Sequence, residues 1–422
     1  MMSFLTPYIA EVRARPAEFF VGLCVLFVAV MGTSVNHVAS SCYALLLLAG
    51  LFTVAGWRST WQSLQTAERW LLTGFMLYAL SGIIAVINVQ DMDEYIKDLE
   101  RYLRFLLAIP MYLYLRRYHV SAIRYLYAGA IISGPFLLAV ALNSYFDSPG
   151  MPARGYYHHI IFGSLAMLNV GVMLALLLVE KMSTLMRVLM VISMAMGFTA
   201  AILSQSRGVW LVVPVYLLIA MIITWRQSRK RFSIIAVFII VCSIAAAISP
   251  LGKLIGQRID AAVDEVETYY QRDNYVTSVG TRLAMWEVAI EVWKQYPVIG
   301  IGPGDFDDHI RELQAQGRYK NMPVHASTHN IYMQALVNTG LFGLLVLLLS
   351  LFYLPLKILL AAGERQYTVT LVGINILSLF AVIGISESWI LRLPTVSVYI
   401  IYMIVIIAGL YAAAGRERDS RS

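Results

Sequence analysis

Charge is scarce in this sequence. Only 14% of its 422 residues are Asp, Glu, Lys or Arg, while 59% are hydrophobic, and the mean hydropathy is +0.70. A water-soluble fold of this length cannot hide so much apolar surface behind so few charges, which excludes that class. Cysteine is rarer still. Cys24, Cys42 and Cys242 all sit inside apolar runs, where they read as small core residues and not as exported disulfides or metal ligands. The sequence has no P-loop, no G-x-G-x-x-G and no Cys/His metal spacing. No nucleotide, cofactor, metal or nucleic-acid partner is therefore expected. The formal net charge of +7 has meaning only once the charges are placed by side of a membrane.

What the sequence has in abundance is long apolar runs. They fall at 17–35, 38–56, 70–89, 102–115, 124–142, 158–179, 185–203, 208–224, 232–250, 329–358, 367–386 and 394–414, against about 20 residues for one bilayer crossing. The expected fold is an all-α polytopic membrane protein of about 12 transmembrane helices. Residues 1–250 carry helices one to nine, 251–328 form a large helical outer loop, and 329–422 carry helices ten to twelve. With the N-terminus in the cytoplasm, 18 of the 32 basic residues lie in cytoplasmic segments, as the positive-inside bias demands. Eight of the others lie in the long loop, which is exempt because long loops translocate largely regardless of charge. Both termini are expected inside. No small-residue cleavage site follows the first run, so it is expected to remain as a span.

The outer loop is not low-complexity. Residues 254–272 read as a polar amphipathic helix, and 281–295 places Leu283, Trp286, Ile290 and Trp293 on one helical face. Pro297 and the run Gly300-Ile301-Gly302-Pro303-Gly304 then force a turn before a third short helix at 305–316.

Four clusters could carry chemistry. Arg207 stands in S-Q-S-R-G at the outer face, with Ser204, Gln205 and Ser206 before it. It is either a helix-end arginine reaching for the interface or an anion clamp. Arg282 sits in the first turn of the second loop helix, where acids are preferred, and so invites a strong counter-anion. His329 lies where the chain returns to the membrane, with His325 four residues earlier and Asn330 beside it to orient the ring. An imidazole titrates near neutral pH and can take a proton from a sugar hydroxyl. Asp91, Asp93 and Glu94 could hold a divalent ion on a phosphate, but read more simply as a solvated acidic segment. His158 and His159 are adjacent, which in a helix sends them to different faces and argues against a shared metal.

Three stretches in order make a recognisable pattern. They are S-x-S-R-G at 204–208, R-x-x-x-W at 282–286 followed by P-x-x-G-x-G-x-G-x-F at 297–306, and His329-Asn330 with Leu336, Gly340, Leu341 and Gly343. This pattern resembles the O-antigen ligase and polymerase family of bacterial envelopes. The resemblance implies a membrane glycosyltransferase acting on the periplasmic side of the inner membrane. Its donor would be O-antigen on undecaprenyl pyrophosphate and its acceptor, in the ligase branch, the lipid A-core. It further implies His329 as general base, Arg207 and Arg282 on the donor pyrophosphate, and Ser206, Asn330, Trp286 and His325 in support. O-antigen polymerases share the topology, and protein O-oligosaccharyltransferases share the histidine and loop motifs. The latter usually carry a longer C-terminal region, so ligase or polymerase is expected. A lipid-linked glycan transporter is the alternative of another class. Oligomeric state is not legible.

Overall fold

The computed structural model describes residues 15–229 and 277–419, together with 232, 233, 236, 260, 263–269 and 275. In chain order the helices are α1 (Pro16–Met31), α2 (Val38–Leu51), α3 (Trp57–Ser63), α4 (Thr66–Ile84), α5 (Met92–Arg117), α6 (Ile123–Asp147), α7 (His159–Val179), α8 (Thr184–Leu203), α9 (Arg207–Trp210), α10 (Val212–Gln227), α11 (Ser278–Gln295), α12 (Phe306–Ala315), α13 (Ile331–Leu347), α14 (Leu354–Ala362), α15 (Tyr367–Ile383) and α16 (Leu393–Asp419). No strand occurs among the described residues. The protein is a multi-pass helical membrane protein. Seven of its described helices or helix runs are long and apolar enough to cross a membrane, and α2 with the bent 54–63 segment makes an eighth if the pair is one span. Two further apolar helices, α1 and α15, are shorter. The helix over the 102–115 run is longer than that run, because the polar stretch from Met92 joins it as one 26-residue helix. The run at 232–250 and the stretch 254–272 lie outside the described residues, save for 232, 233, 236, 260 and 263–269.

Burial sorts the helices. α7 and α16 are apolar on all sides and almost wholly enclosed, whereas α8 and α10 expose most of their apolar residues, the pattern of central against lipid-facing spans. Buried amides tie the core helices together. Asn169 donates to the Ala29 carbonyl at 2.8 Å and Asn375 to the Gly171 carbonyl at 2.8 Å, polar links of the kind that join helices in lipid. At the opposite end from the loop, buried Glu68 accepts from Arg116 Nε and from Tyr112 Oη, both at 2.6 Å, and so staples α4 to α5.

The glycine-rich turn after α11 is interlocked with α13. α13 breaks at Gly340, whose φ of 65° and ψ of −167° free the surrounding peptide groups from the helix ladder. Those groups pair with the turn. Ile301 and Gly302 donate to the carbonyls of Val337 and Asn338, while Leu341 and Phe342 donate to those of Pro297 and Val298, all at 2.9–3.1 Å. Irregular backbone at this depth survives only because protein partners satisfy it. The approach is closer than side chains allow. A Cβ on Gly300 would fall 2.3 Å from the Val337 carbonyl oxygen, and one on Gly340 would fall 2.2 Å from that of Val298. On its other side the turn meets the α4–α5 connection. Asn88 donates to the Gly300 carbonyl at 2.7 Å, and buried Asp305 accepts from the backbone N–H groups of Gln90 and Asp91. The glycine-rich turn is thus clamped between α13 and the α4–α5 connection at one end of the bundle.

Candidate active site

His329 stands just before the N-terminus of α13. Asn330 caps that helix, its side-chain oxygen accepting from the N–H groups of Tyr332 (2.9 Å) and Met333 (3.2 Å), the satisfaction that helix N-termini require. The expectation that Asn330 orients the His329 ring is replaced by another arrangement. The ring's partner is Glu387, whose Oε2 lies 3.2 Å from His329 Nδ1. A carboxylate only accepts, so Nδ1 carries a proton, and Nε2 is the nitrogen that can act as a base whenever the ring is neutral. Asn330 instead fixes the backbone, its N–H donating to Ser388 Oγ at 3.0 Å, and Ile331 N–H donates to the Gly384 carbonyl at 2.8 Å. His329 itself has φ of 50°, a left-handed conformation that costs a non-glycine residue about 1–3 kcal/mol and that these flanking bonds hold in place.

Glu387 comes from the short connection between α15 and α16. It is 4% exposed. Burial pushes its carboxyl upward, but the His329 hydrogen bond and the nearby charges of His329, Arg392 and His158 outweigh that and hold it below the ordinary glutamate value. Arg392 Nε lies 3.7 Å from its second oxygen. Under this loop Phe380, Trp389 and Tyr399 pack ring on ring, with centroids 4.9–5.3 Å apart, and Trp389 Nε1 donates to the Phe380 carbonyl at 2.9 Å. The loop that carries Glu387 is therefore anchored two residues later by Trp389 in an aromatic cluster.

The loop helix reaches the same place. Trp286 of α11 donates from Nε1 to the Thr328 carbonyl at 3.0 Å, directly before His329. Arg282 lies one helical turn earlier on the same face as Trp286. It is half-buried and has no ion-pair partner among the described residues. His325 packs against the His329 ring at 5.8 Å, and burial together with the neighbouring His329 lowers its pKa from the ordinary histidine value.

Arg207 opens α9 and is exposed. It too has no acidic partner among the described residues. Its neighbour Gly208 touches the Glu387 loop, since a Cβ at 208 would lie 2.0 Å from Ser386 Oγ. Buried Ser206 lies with its Oγ 3.0 Å from His159 Nδ1. His158 and His159 do not point to different faces. The helix begins at His159, so His158 is free of helical geometry, and the two rings lie 4.1 Å apart. His158 is within electrostatic reach of Glu387, Arg392 and His329. The histidine pair thereby bridges the Arg207 side and the His329 side.

The acidic cluster does other work. Asp91 caps α5 by accepting from Asp93 and Glu94 N–H, and Glu94 pairs with Lys97 at 2.5 Å. Among the described residues no three His, Cys, Asp or Glu side chains converge on a metal-sized site.

Glu387 was not singled out from sequence, and its removal has a defined consequence. Because its folded value is depressed, the pair adds stability above the unfolded glutamate pKa of about 4.3, and this is lost as pH falls through the folded value. Glu387→Gln is expected to melt less steeply with acidification below about pH 4 than the wild type, measured as Tm in detergent. The amide cannot balance an imidazolium, so turnover is expected to drop about tenfold or more. Identical melting curves and turnover would remove Glu387 from the site.

Comparison with known proteins supplies the context. Residues 188–348 match a family model described as O-antigen ligase. An uncharacterized protein of Haemophilus influenzae is 25% identical over 291 residues, covering 68% of this chain and 72% of that protein. The O-antigen ligase of Escherichia coli K12 is 28% identical over 182 residues, covering 41% of this chain and 42% of the E. coli protein, so that alignment spans under half of the relative. Arg207, Arg282 and His329, selected on chemical grounds, all fall inside the segment that matches the O-antigen ligase family.

Proposed function

We propose that this protein is an O-antigen ligase of the bacterial inner membrane. It transfers a glycan from undecaprenyl pyrophosphate to a hydroxyl of the lipid A-core on the periplasmic side. The observation that carries the reading is the His329–Glu387 pair, with Nε2 left as a base; Arg207 and Arg282 form no ion pair among the described residues and remain available to an anion. The acceptor O–H gives its proton to His329 Nε2 as its oxygen attacks the anomeric carbon. The bond from that carbon to the pyrophosphate oxygen breaks, and the electron pair leaves with undecaprenyl pyrophosphate. One displacement inverts the anomeric configuration. Arg207 and Arg282 meet the charge that grows on the departing phosphate, and guanidinium forks are suited to it. Glu387 steadies the imidazolium.

The test is transfer by the purified protein in detergent, given the lipid-linked donor and a lipid A-core acceptor, with and without EDTA. New glycan–lipid A-core product of inverted configuration, made equally well in EDTA, is the expected result. Elongated lipid-linked glycan without attachment would mean polymerase, transfer to a protein acceptor would mean an oligosaccharyltransferase, and no covalent product would favour transport. Collapse in EDTA with rescue by Mg²⁺ or Mn²⁺ would return the Asp91/Asp93 cluster to the site.

A further inference from the structure

The Arg207 clamp rests on a loop that lacks helical support of its own. Between α8 and α9 the chain passes through Ser204, Gln205 and Ser206, and Gln205 is in the left-handed region with φ of 52°. Neighbours fix this loop from two sides. Ala153 N–H donates to the Leu203 carbonyl at 2.8 Å. From α7, His159 Nδ1 lies 2.9 Å from the Ser204 carbonyl and 3.0 Å from Ser206 Oγ. One turn along the same helix, Gly163 leaves the space that Ser204 fills, since a Cβ there would come within 2.4 Å of Ser204 Oγ. The Ser204 carbonyl only accepts, so His159 donates from Nδ1. A single N–H thus holds both ends of the three-residue loop that presents Arg207.

We propose that His159 is a positioning residue that fixes the Arg207 guanidinium for the donor pyrophosphate. The inference rests on the functional reading above and deepens its donor site. An unfixed arginine loses the geometric advantage of a fork already aimed at the phosphate oxygens. The His159 ring does no chemistry of its own, and the group that matters is the Nδ1–H.

Asparagine and glutamine separate these possibilities. The amide nitrogen of Asn takes the place of Nδ1, and that of Gln takes the place of Nε2. Steady-state transfer in detergent, with the lipid-pyrophosphate donor varied, is measured for His159→Asn, His159→Gln, His159→Phe, Arg207→Ala and the double variant His159→Phe/Arg207→Ala. His159→Phe and His159→Gln are expected to lose about 10-fold to 100-fold in kcat/KM for donor, the effect of a deleted buried hydrogen bond. His159→Asn should stay within about threefold of wild type, since the donor N–H is kept. In the Arg207→Ala background His159→Phe should cost little more, because both act through one group. A wild type that transfers while His159→Phe matches it would overturn the proposal alone. So would His159→Asn as impaired as His159→Phe, or independent losses in the double variant. If His159→Phe does not fold, judged by melting temperature, the Asn and Gln pair decides. A wild type that transfers nothing sinks the functional reading and this inference with it.

Discussion

His329→Ala is expected to lower kcat by about 10²–10⁴-fold, the range a positioned general base contributes, with donor KM nearly unchanged and the melting temperature close to wild type. The size follows from the geometry. Glu387 accepts the Nδ1 proton at 3.2 Å, which fixes the tautomer and aims the Nε2 lone pair outward, and the ring is a quarter exposed, open to an acceptor. The left-handed backbone at His329 is held by bonds from Asn330, Ile331 and Trp286 that do not involve the imidazole. Truncation therefore leaves the local fold intact, and alanine also accepts this backbone at modest cost. Single-turnover measurements with saturating donor separate the chemical step from product release. Near-wild-type glycan transfer by a folded His329→Ala protein would remove the general base from the mechanism.

How much of this was legible in sequence differs residue by residue. Arg207 stood out because a charge next to hydrocarbon is costly and needs a reason, His329 because an imidazole titrates near neutral pH, and Trp286 because it lies on the apolar face of a loop helix. The apolar runs located most helices because one bilayer thickness sets their length. Glu387 did not stand out. It lies at the boundary of two apolar runs, where a single acid in I-S-E-S-W reads as an interfacial charge. Its pairing with His329 spans 58 positions and depends on how α15 and α16 pack, which no local pattern encodes. A carboxylate in the short connection between two apolar runs was the available signal. His159 was masked by its neighbour, because helical periodicity applies only inside a helix and α7 begins between the two histidines. The glycine run at 300–304 announced a turn, but not that Gly340 would break α13 to receive it. The partner of a close approach is invisible until both backbones are placed.

Arg207→Ala is expected to cost about 10²–10³-fold in kcat/KM for donor, the loss seen when one preorganised donor to developing charge is removed. Arg207→Lys should recover only part of it, because an ammonium keeps the charge and loses the two-pronged geometry. These outcomes discriminate between the two readings of this residue. An arginine that merely reaches the interface tolerates lysine fully, since both side chains snorkel. Three features favour the clamp: Arg207 has no acidic partner among the described residues, its loop is bonded to α7 through His159, and Gly208 packs on the Glu387 loop. A side chain held for solvation alone has no need of such fixtures. Inorganic pyrophosphate gives an independent measurement, as it should inhibit the wild type competitively with donor and lose potency with Arg207→Ala. Arg282→Ala should act the same way if both guanidinium groups share one anion, with the double variant losing less than the product of the singles. Unchanged donor kinetics in both Arg207→Lys and Arg207→Ala would leave the interface reading standing and transfer the whole burden of the leaving group to Arg282.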